Sequence, residues 1–164
     1  MGFYVIIRGP LGCGKTTLSE RLSSTINATC FHVDKILEEH GLEDEWEEGY
    51  ISIRSFIKAN QIITPKIRVL LDKGSNVIIE GNFYYQSQID DLISRIGYPH
   101  YVFTLHVPLN TCILRDNNRV NPHGEDATRA VYKKTTEFDY GIIIDADNDI
   151  DDCINSISSH LPPS

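Results

Sequence analysis

Near the N-terminus, Gly9-Pro10-Leu11-Gly12-Cys13-Gly14-Lys15-Thr16 reads G-x-x-x-x-G-K-[ST]. This pattern constrains the fold tightly, because it functions only between a strand and a helix. The residues before it, Phe3-Tyr4-Val5-Ile6-Ile7, are an uninterrupted β-rich run, as a strand buried on both faces requires. The residues after it carry Leu18, Leu22 and Ile26 at i, i+4 and i+8, which puts one apolar stripe on a helix. Glycines let the backbone wrap so that several N–H groups converge on phosphate oxygens, and the helix N-terminus adds positive potential. In that setting Lys15 reaches β- and γ-phosphates, and the Thr16 hydroxyl is a Mg²⁺ ligand.

The rest of the chain repeats the strand–helix alternation. Residues 30–33 predict a second strand ending at Asp34, and 76–80, 101–107 and 141–144 predict three more. Residues 51–73 have helical periodicity but contain Pro65. Thr64 before it suits an N-cap, so two helices with a joint are expected there. Further helices are expected over 88–96, from Pro108 onward with Leu109, Cys112 and Ile113 inward, over 127–138 and over 149–160. Residues 117–124 are polar and contain Pro and Gly, which predicts a loop. No repeat or linker interrupts the pattern. The expectation is one α/β domain with a parallel sheet covered on both faces.

Composition limits the partners. The chain has 164 residues, enough for a core without metal or disulfide staples. Its formal net charge of −8 argues against broad coating of extended nucleic acid or an anionic membrane. Much of the acid lies in residues 38–48, which contain no Lys or Arg and read as a solvated helix-and-loop surface. Cys13, Cys30, Cys112 and Cys153 are scattered without zinc spacing, so they predict small buried residues in a reducing compartment. Met1 runs straight into the first strand without a basic leader, and no apolar run reaches membrane-span length. A cytoplasmic protein is the expectation.

Several residues are placed to act beside the phosphate loop. Asp34 could take the proton of an acceptor hydroxyl or hold Mg²⁺ through water, and it would equally suit a helix cap. Glu80, expected at the end of the third strand, could meet Mg²⁺ through water or could simply face solvent. Gly81 would let an acceptor approach the backbone, and Asn82, Tyr84 and Tyr85 could line its pocket. Arg115 and Arg119 are four apart and are expected on one helix face before the polar loop. There their guanidinium groups suit the spread charge of a phosphoryl group. Arg129 continues the basic character, whereas Lys133 and Lys134 read as surface residues.

In this order the segments GPLGCGKTT, HVDK, IIEGNF, VPLNTCILRDNNR and YGIIIDADN resemble the small P-loop kinases. That group includes shikimate, gluconate and nucleoside monophosphate kinases and polynucleotide 5′-kinases. The chain is most similar to archaeal-type members of the AAA-like kinase group. The resemblance covers nearly the whole chain. It implies a P-loop NTPase three-layer sandwich with a five-stranded parallel sheet in order 2-3-1-4-5. Residues 12–17, including Thr17, would hold the phosphates of ATP, with Mg²⁺ as the metal.

Asp34 matches the general base of polynucleotide-kinase-like members. Arg115 and Arg119 match lid arginines that contact phosphates or stack on adenine, and residues 145–148 match the adenine-side loop. An acceptor-binding helical region is expected at about 35–65 and a short lid at about 117–128. The loop lacks the G-x-P-G-x-G-K-G-T form of adenylate kinases. The glycine-rich segment that shikimate kinases carry after the third strand is replaced by Glu80-Gly81-Asn82.

The resulting expectation is an ATP- and Mg²⁺-dependent kinase acting on a hydroxyl or phosphate of a small molecule or nucleoside. A polynucleotide 5′-hydroxyl kinase is the second reading. A nucleotide-binding ATPase or switch module without an acceptor is the third. A guanine-reading N-K-x-D motif is absent, which disfavours a GTPase switch.

Overall fold

The computed structural model describes residues 2–163. The elements run β1 (Tyr4–Arg8), α1 (Lys15–Ile26), β2 (Ala28–His32), α2 (Val33–Glu39), β3 (Trp46–Glu47), β4 (Tyr50–Ile51) and α3 (Ile53–Asp72). They continue with β5 (Asn76–Gly81), α4 (Gln86–Ile96), β6 (His100–His106), α5 (Leu109–Asn117), α6 (Glu125–Thr135), β7 (Ile142–Asp145) and α7 (Ile150–Ser158). The sheet order is β2-β5-β1-β6-β7, and every pairing in it is parallel. Counted among the parallel strands alone this is 2-3-1-4-5, the order that the resemblance implied.

Side-chain alternation on the central strand divides the core into two layers. Tyr4 and Ile6 point to one face, where α2, α3, α4 and α6 pack. Val5 and Ile7 point to the other, against α1, α5 and α7. Both faces of β1 are buried, which explains why its sequence is an apolar run rather than an alternation.

Four local expectations need correction. Residues 51–73 form one continuous helix, α3, with Pro65 inside it. Thr64 is not a cap there, since its hydroxyl donates to Asn60 O at 2.6 Å. The apolar stripe from Phe56 through Ala59, Ile63 and Ile67 to Leu71 stays buried along the whole length, and that burial carries the helix through the proline. The acidic segment, expected as helix and loop, ends in β3, which pairs with β4 just beyond it, so the region expected to be helical at about 35–65 includes a short hairpin. The expected lid at about 117–128 is narrower, because α6 begins at Glu125 and only 118–124 is loop. Leu109 is half-buried rather than inward, while Cys112 and Ile113 are buried.

Arg8 closes β1 with a fully buried guanidinium. It donates to Thr104 Oγ1, its register partner on β6, and to the carbonyls of Phe83, Thr135 and Phe138. It also lies 4.2 Å from the Phe138 ring centroid. Burial lowers its pKa to about 10, so it stays charged at neutral pH. One side chain thus ties the C-terminal end of α6 to the strand that enters the glycine loop.

The missing N–H and the ring clash of Pro65 cost α3 free energy, and Pro65 itself is exposed. Pro65→Ala is expected to stabilise the chain by about 1–3 kcal/mol, read as a raised urea midpoint with unchanged helical circular dichroism.

Candidate active site

The loop between β1 and α1 turns with Gly12 and Gly14 at φ +77° and +87°. Gly12 also lies so close to α5 that a Cβ would run into the Cys112 carbonyl oxygen. Gly14 is the N-cap of α1 and makes no side-chain cap bond, so the first-turn N–H groups have no cap partner. Uncapped N–H groups and the helix dipole at one point make an anion cradle. Lys15 is 7% exposed, and its Nζ donates back to Pro10 O at 3.3 Å.

A cleft of about 510 Å³ opens in front of this loop. Leu11, Gly12, Gly14, Lys15, Thr16 and Thr17 line its floor, and Asp34, Glu80, Arg115, Arg119 and His123 complete it. Glu80 is 4% exposed at the C-terminal end of β5. Its Oε1 lies 3.4 Å from Thr16 Oγ1, which donates to it, and its Oε2 accepts from His32 Nδ1 at 2.6 Å. His32 and Glu80 are register partners on neighbouring parallel strands, which is why their side chains meet. With a carboxylate opposite, His32 Nδ1 carries the proton.

The donor set fits the Mg²⁺ that the resemblance implies. A hydroxyl and one or two carboxylates at a phosphate site are what this ion takes, since it keeps several waters and shares the phosphates. Thr16, Glu80 and Asp34 supply that set. Among the described residues no group of three or more His, Cys, Asp and Glu side chains could hold a metal ion by itself.

Asp34 does not end β2, as expected, because the strand stops at His32 and Asp34 sits in the first turn of α2. The helix start still aims it at the cleft. Burial, and next the nearby Asp34 carboxylate, push the Tyr84 hydroxyl up to about 12, but neither Tyr84 nor Tyr85 lines the cleft. Asn82 donates to Tyr84 OH at 3.2 Å and does not line the cleft. Gly81 is packed against Val33 and does not line it either.

Arg115 NH1 donates to Cys13 O at 3.2 Å and NH2 to Ala146 O at 3.3 Å. It therefore bridges the glycine loop and the turn after β7. Beneath it a smaller cavity of about 170 Å³ is lined by Cys13, Gly14, Thr17, Ala146 and Asn148, among others. Arg119 lies beyond the last turn of α5 rather than on a shared helix face, yet it reaches the same cleft. Arg129 does not, as it pairs with Glu125 on the surface of α6. Pro10 lines a separate cleft with His106 and Asp145. Gly9 packs against Cys13 and Leu105. All four cysteines are free, and burial raises the pKa of each thiol.

Two residues escaped the sequence reading. His32 was visible only as a strand residue, and its pairing with Glu80 depends on strand register. His123 looked like an ordinary loop residue. Its anchor is Asp116, fully buried on α5, which accepts from the His123 N–H at 3.1 Å and the Gly124 N–H at 2.9 Å.

A three-layer parallel sandwich with this loop at the strand ends is the fold of the small P-loop kinases. A family model described as an AAA domain matches residues 5–138, and the chain belongs to that family. No curated protein matches it. Among solved structures, a gluconokinase from Sinorhizobium meliloti aligns with a TM-score of 0.74 at 13% identity, over 93% of this chain and 87% of that one. A sugar kinase from Janibacter sp. aligns with a TM-score of 0.76 at 15% identity, over 97% and 94%. At such identities these likenesses establish a shared fold. No helix among the described residues is long and apolar enough to cross a membrane.

Removing the donor from buried Glu80 Oε2 leaves a carboxylate oxygen unpaired. His32→Ala is expected to cost about 1–3 kcal/mol in urea unfolding, and His32→Asn, which keeps an N–H near the Nδ1 position, much less. Burial would raise the Asp116 pKa, but the bonds from His123 and Gly124 outweigh it and hold the carboxyl below its ordinary range. Its stabilisation of the 118–124 loop is therefore complete above the unfolded pKa and lost as pH falls through the lower folded one. Amide exchange at His123 and Gly124, corrected for intrinsic rates, is expected to stay protected until the pH drops below about 3.9.

Proposed function

We propose that this chain is an ATP- and Mg²⁺-dependent kinase that transfers the γ-phosphoryl group to a hydroxyl or phosphate of a small molecule or nucleoside. One observation carries the reading. A single cleft holds an uncapped helix start with its lysine, a hydroxyl–carboxylate pair suited to Mg²⁺, a second carboxylate on another element, and two arginines. A site that only bound Mg·nucleotide would need the helix start, the lysine and the hydroxyl–carboxylate pair, but not the second carboxylate. Asp34 across the cleft adds what an acceptor requires. The sugar and gluconate kinases that share the fold support the small-molecule class.

In this reading the amides of residues 12–17 and Lys15 hold the phosphates in line. Thr16 and Glu80 would hold Mg²⁺, which would offset charge on the phosphate oxygens. Asp34 accepts the proton of the acceptor hydroxyl as the hydroxyl oxygen attacks the γ-phosphorus and the bond from that phosphorus to the bridging oxygen breaks, releasing ADP; the proton passes from Asp34 to solvent. Arg115 clamps the nucleotide side, and Arg119 stabilises the charge on the transferring group. Such catalysis is placement and electrostatics more than covalent chemistry. The protein is expected to work in the cytoplasm, where ATP and small acceptors meet.

The first test is ADP production from Mg·ATP, alone and with pooled sugars, nucleosides, small acids or 5′-hydroxyl oligonucleotides. A jump with one small-molecule pool is the expected result. A jump with oligonucleotides alone would favour a polynucleotide end as acceptor, and tight ATP binding with no jump would favour a binding module. Lys15→Ala is expected to abolish transfer with the fold intact. Asp34→Asn should lower turnover about 10²–10⁴-fold while ATP affinity changes little, as loss of a general base does. Equal losses in both would assign Asp34 to the metal instead.

A further inference from the structure

His123 lines the same cleft as Lys15 and Arg119, on the loop between α5 and α6. Its imidazole is held as well as its backbone, since Nδ1 lies 3.1 Å from Asp116 Oδ1. Asp116 is fully buried, whereas the His123 side chain is 43% exposed. The bonds from the His123 and Gly124 N–H groups already explain why a carboxylate anchors this loop, because Gly124 is the N-cap of α6 and has no side-chain cap of its own. The third bond does nothing for the backbone. It fixes a ring.

Its consequence follows from hydrogen-bond chemistry. A carboxylate receiving these N–H groups is an acceptor only, so His123 Nδ1 must carry the proton. Nε2 is then the ring atom left for a ligand. The ring is anchored at both its backbone and Nδ1, so little rotamer entropy remains to be lost when Nε2 engages something. The helix start of α1 with Lys15, and Arg119 on the same loop as His123, line the same cleft, all suited to a triphosphate. A phosphate oxygen placed at Nε2 takes a hydrogen bond only when that nitrogen carries a proton, and the negative charge of the phosphate itself favours the ring form that does.

We propose that His123 is a catalytic residue of the transfer reaction: its Nε2–H hydrogen-bonds an oxygen of the γ-phosphoryl group, and Asp116 is the positioning residue that fixes the ring. This rests on the kinase reading above. His123 forms no bond to phosphorus and passes no proton to the reacting atoms. It adds one directed donor to the charge provided by Lys15 and Arg119.

The test compares Mg²⁺-dependent binding of ADP and of β,γ-imido-ATP by calorimetry for the wild-type chain, His123→Ala and His123→Gln. His123→Ala is expected to bind ADP within about 2-fold of wild type and β,γ-imido-ATP about 10- to 100-fold more weakly, the range for loss of one charged hydrogen bond. His123→Gln, which keeps an N–H donor, should recover part of that loss. In ¹⁵N spectra the His123 Nε2 signal is expected to move on adding β,γ-imido-ATP but not ADP. Asp116→Asn should change the ring's tautomer balance before any ligand is added.

A wild-type chain that binds both nucleotides while His123→Ala matches it on both would overturn the histidine assignment and leave the kinase reading standing. The same assignment falls if the Nε2 signal is indifferent to the γ-phosphate. A wild-type chain that binds neither nucleotide would overturn the kinase reading, and this inference with it.

Discussion

An α-helix that starts without a cap leaves backbone N–H groups that want an acceptor, and in this protein α1 starts that way at the C-terminal edge of a parallel sheet. Gly14 makes this possible by taking a left-handed conformation where a capping side chain would otherwise sit. The rest of the molecule is organised around that opening. β1 delivers the loop from the middle of the sheet, with neighbours on both sides. Its two buried faces fix the strand, so the turn after it is held by the core rather than by its own few bonds. Cys112 on α5 packs so near Gly12 that a side chain there would collide with its carbonyl oxygen.

Charge balance in the cleft follows from sheet register. Glu80 and His32 are opposite each other on β5 and β2, and Glu80 also reaches Thr16 on α1. A nearly buried carboxylate is costly unless its oxygens are satisfied, and these contacts partner both of them. Arg8 solves a comparable problem with carbonyls instead of a carboxylate, and so links α6 to the base of the glycine loop. The loop before α6 is anchored in turn by Asp116 on α5. Basic and acidic groups therefore approach the phosphate cradle from elements far apart in the chain, each tied to the sheet.

Much of this was legible in the sequence. The strand–glycine–helix unit, the alternation that produced the parallel sheet, and Asp34, Glu80, Arg115 and Arg119 at the cleft could all be read from residue type and position. Periodicity sees local burial well, and those features are local. Pro65 shows where local reading fails, because propensity alone breaks the helix whereas five buried apolar residues hold it together. Arg129 failed for a similar reason: basic character continues along α6, but the helix turns that residue outward to Glu125. The β3–β4 hairpin is too short and too exposed to leave a periodic signal.

The amino-acid order by itself determined that a phosphate-binding loop lies between a buried strand and an amphipathic helix, because glycine spacing, β-branched runs and helical stripes act over a few residues. Only the tertiary structure decided which side chains share the cleft. His32 meets Glu80 through a strand register that neither residue encodes alone. Asp116 reaches the His123 ring because α5 is buried at that position. Such contacts depend on how separate elements are packed, and packing is settled by the whole core at once.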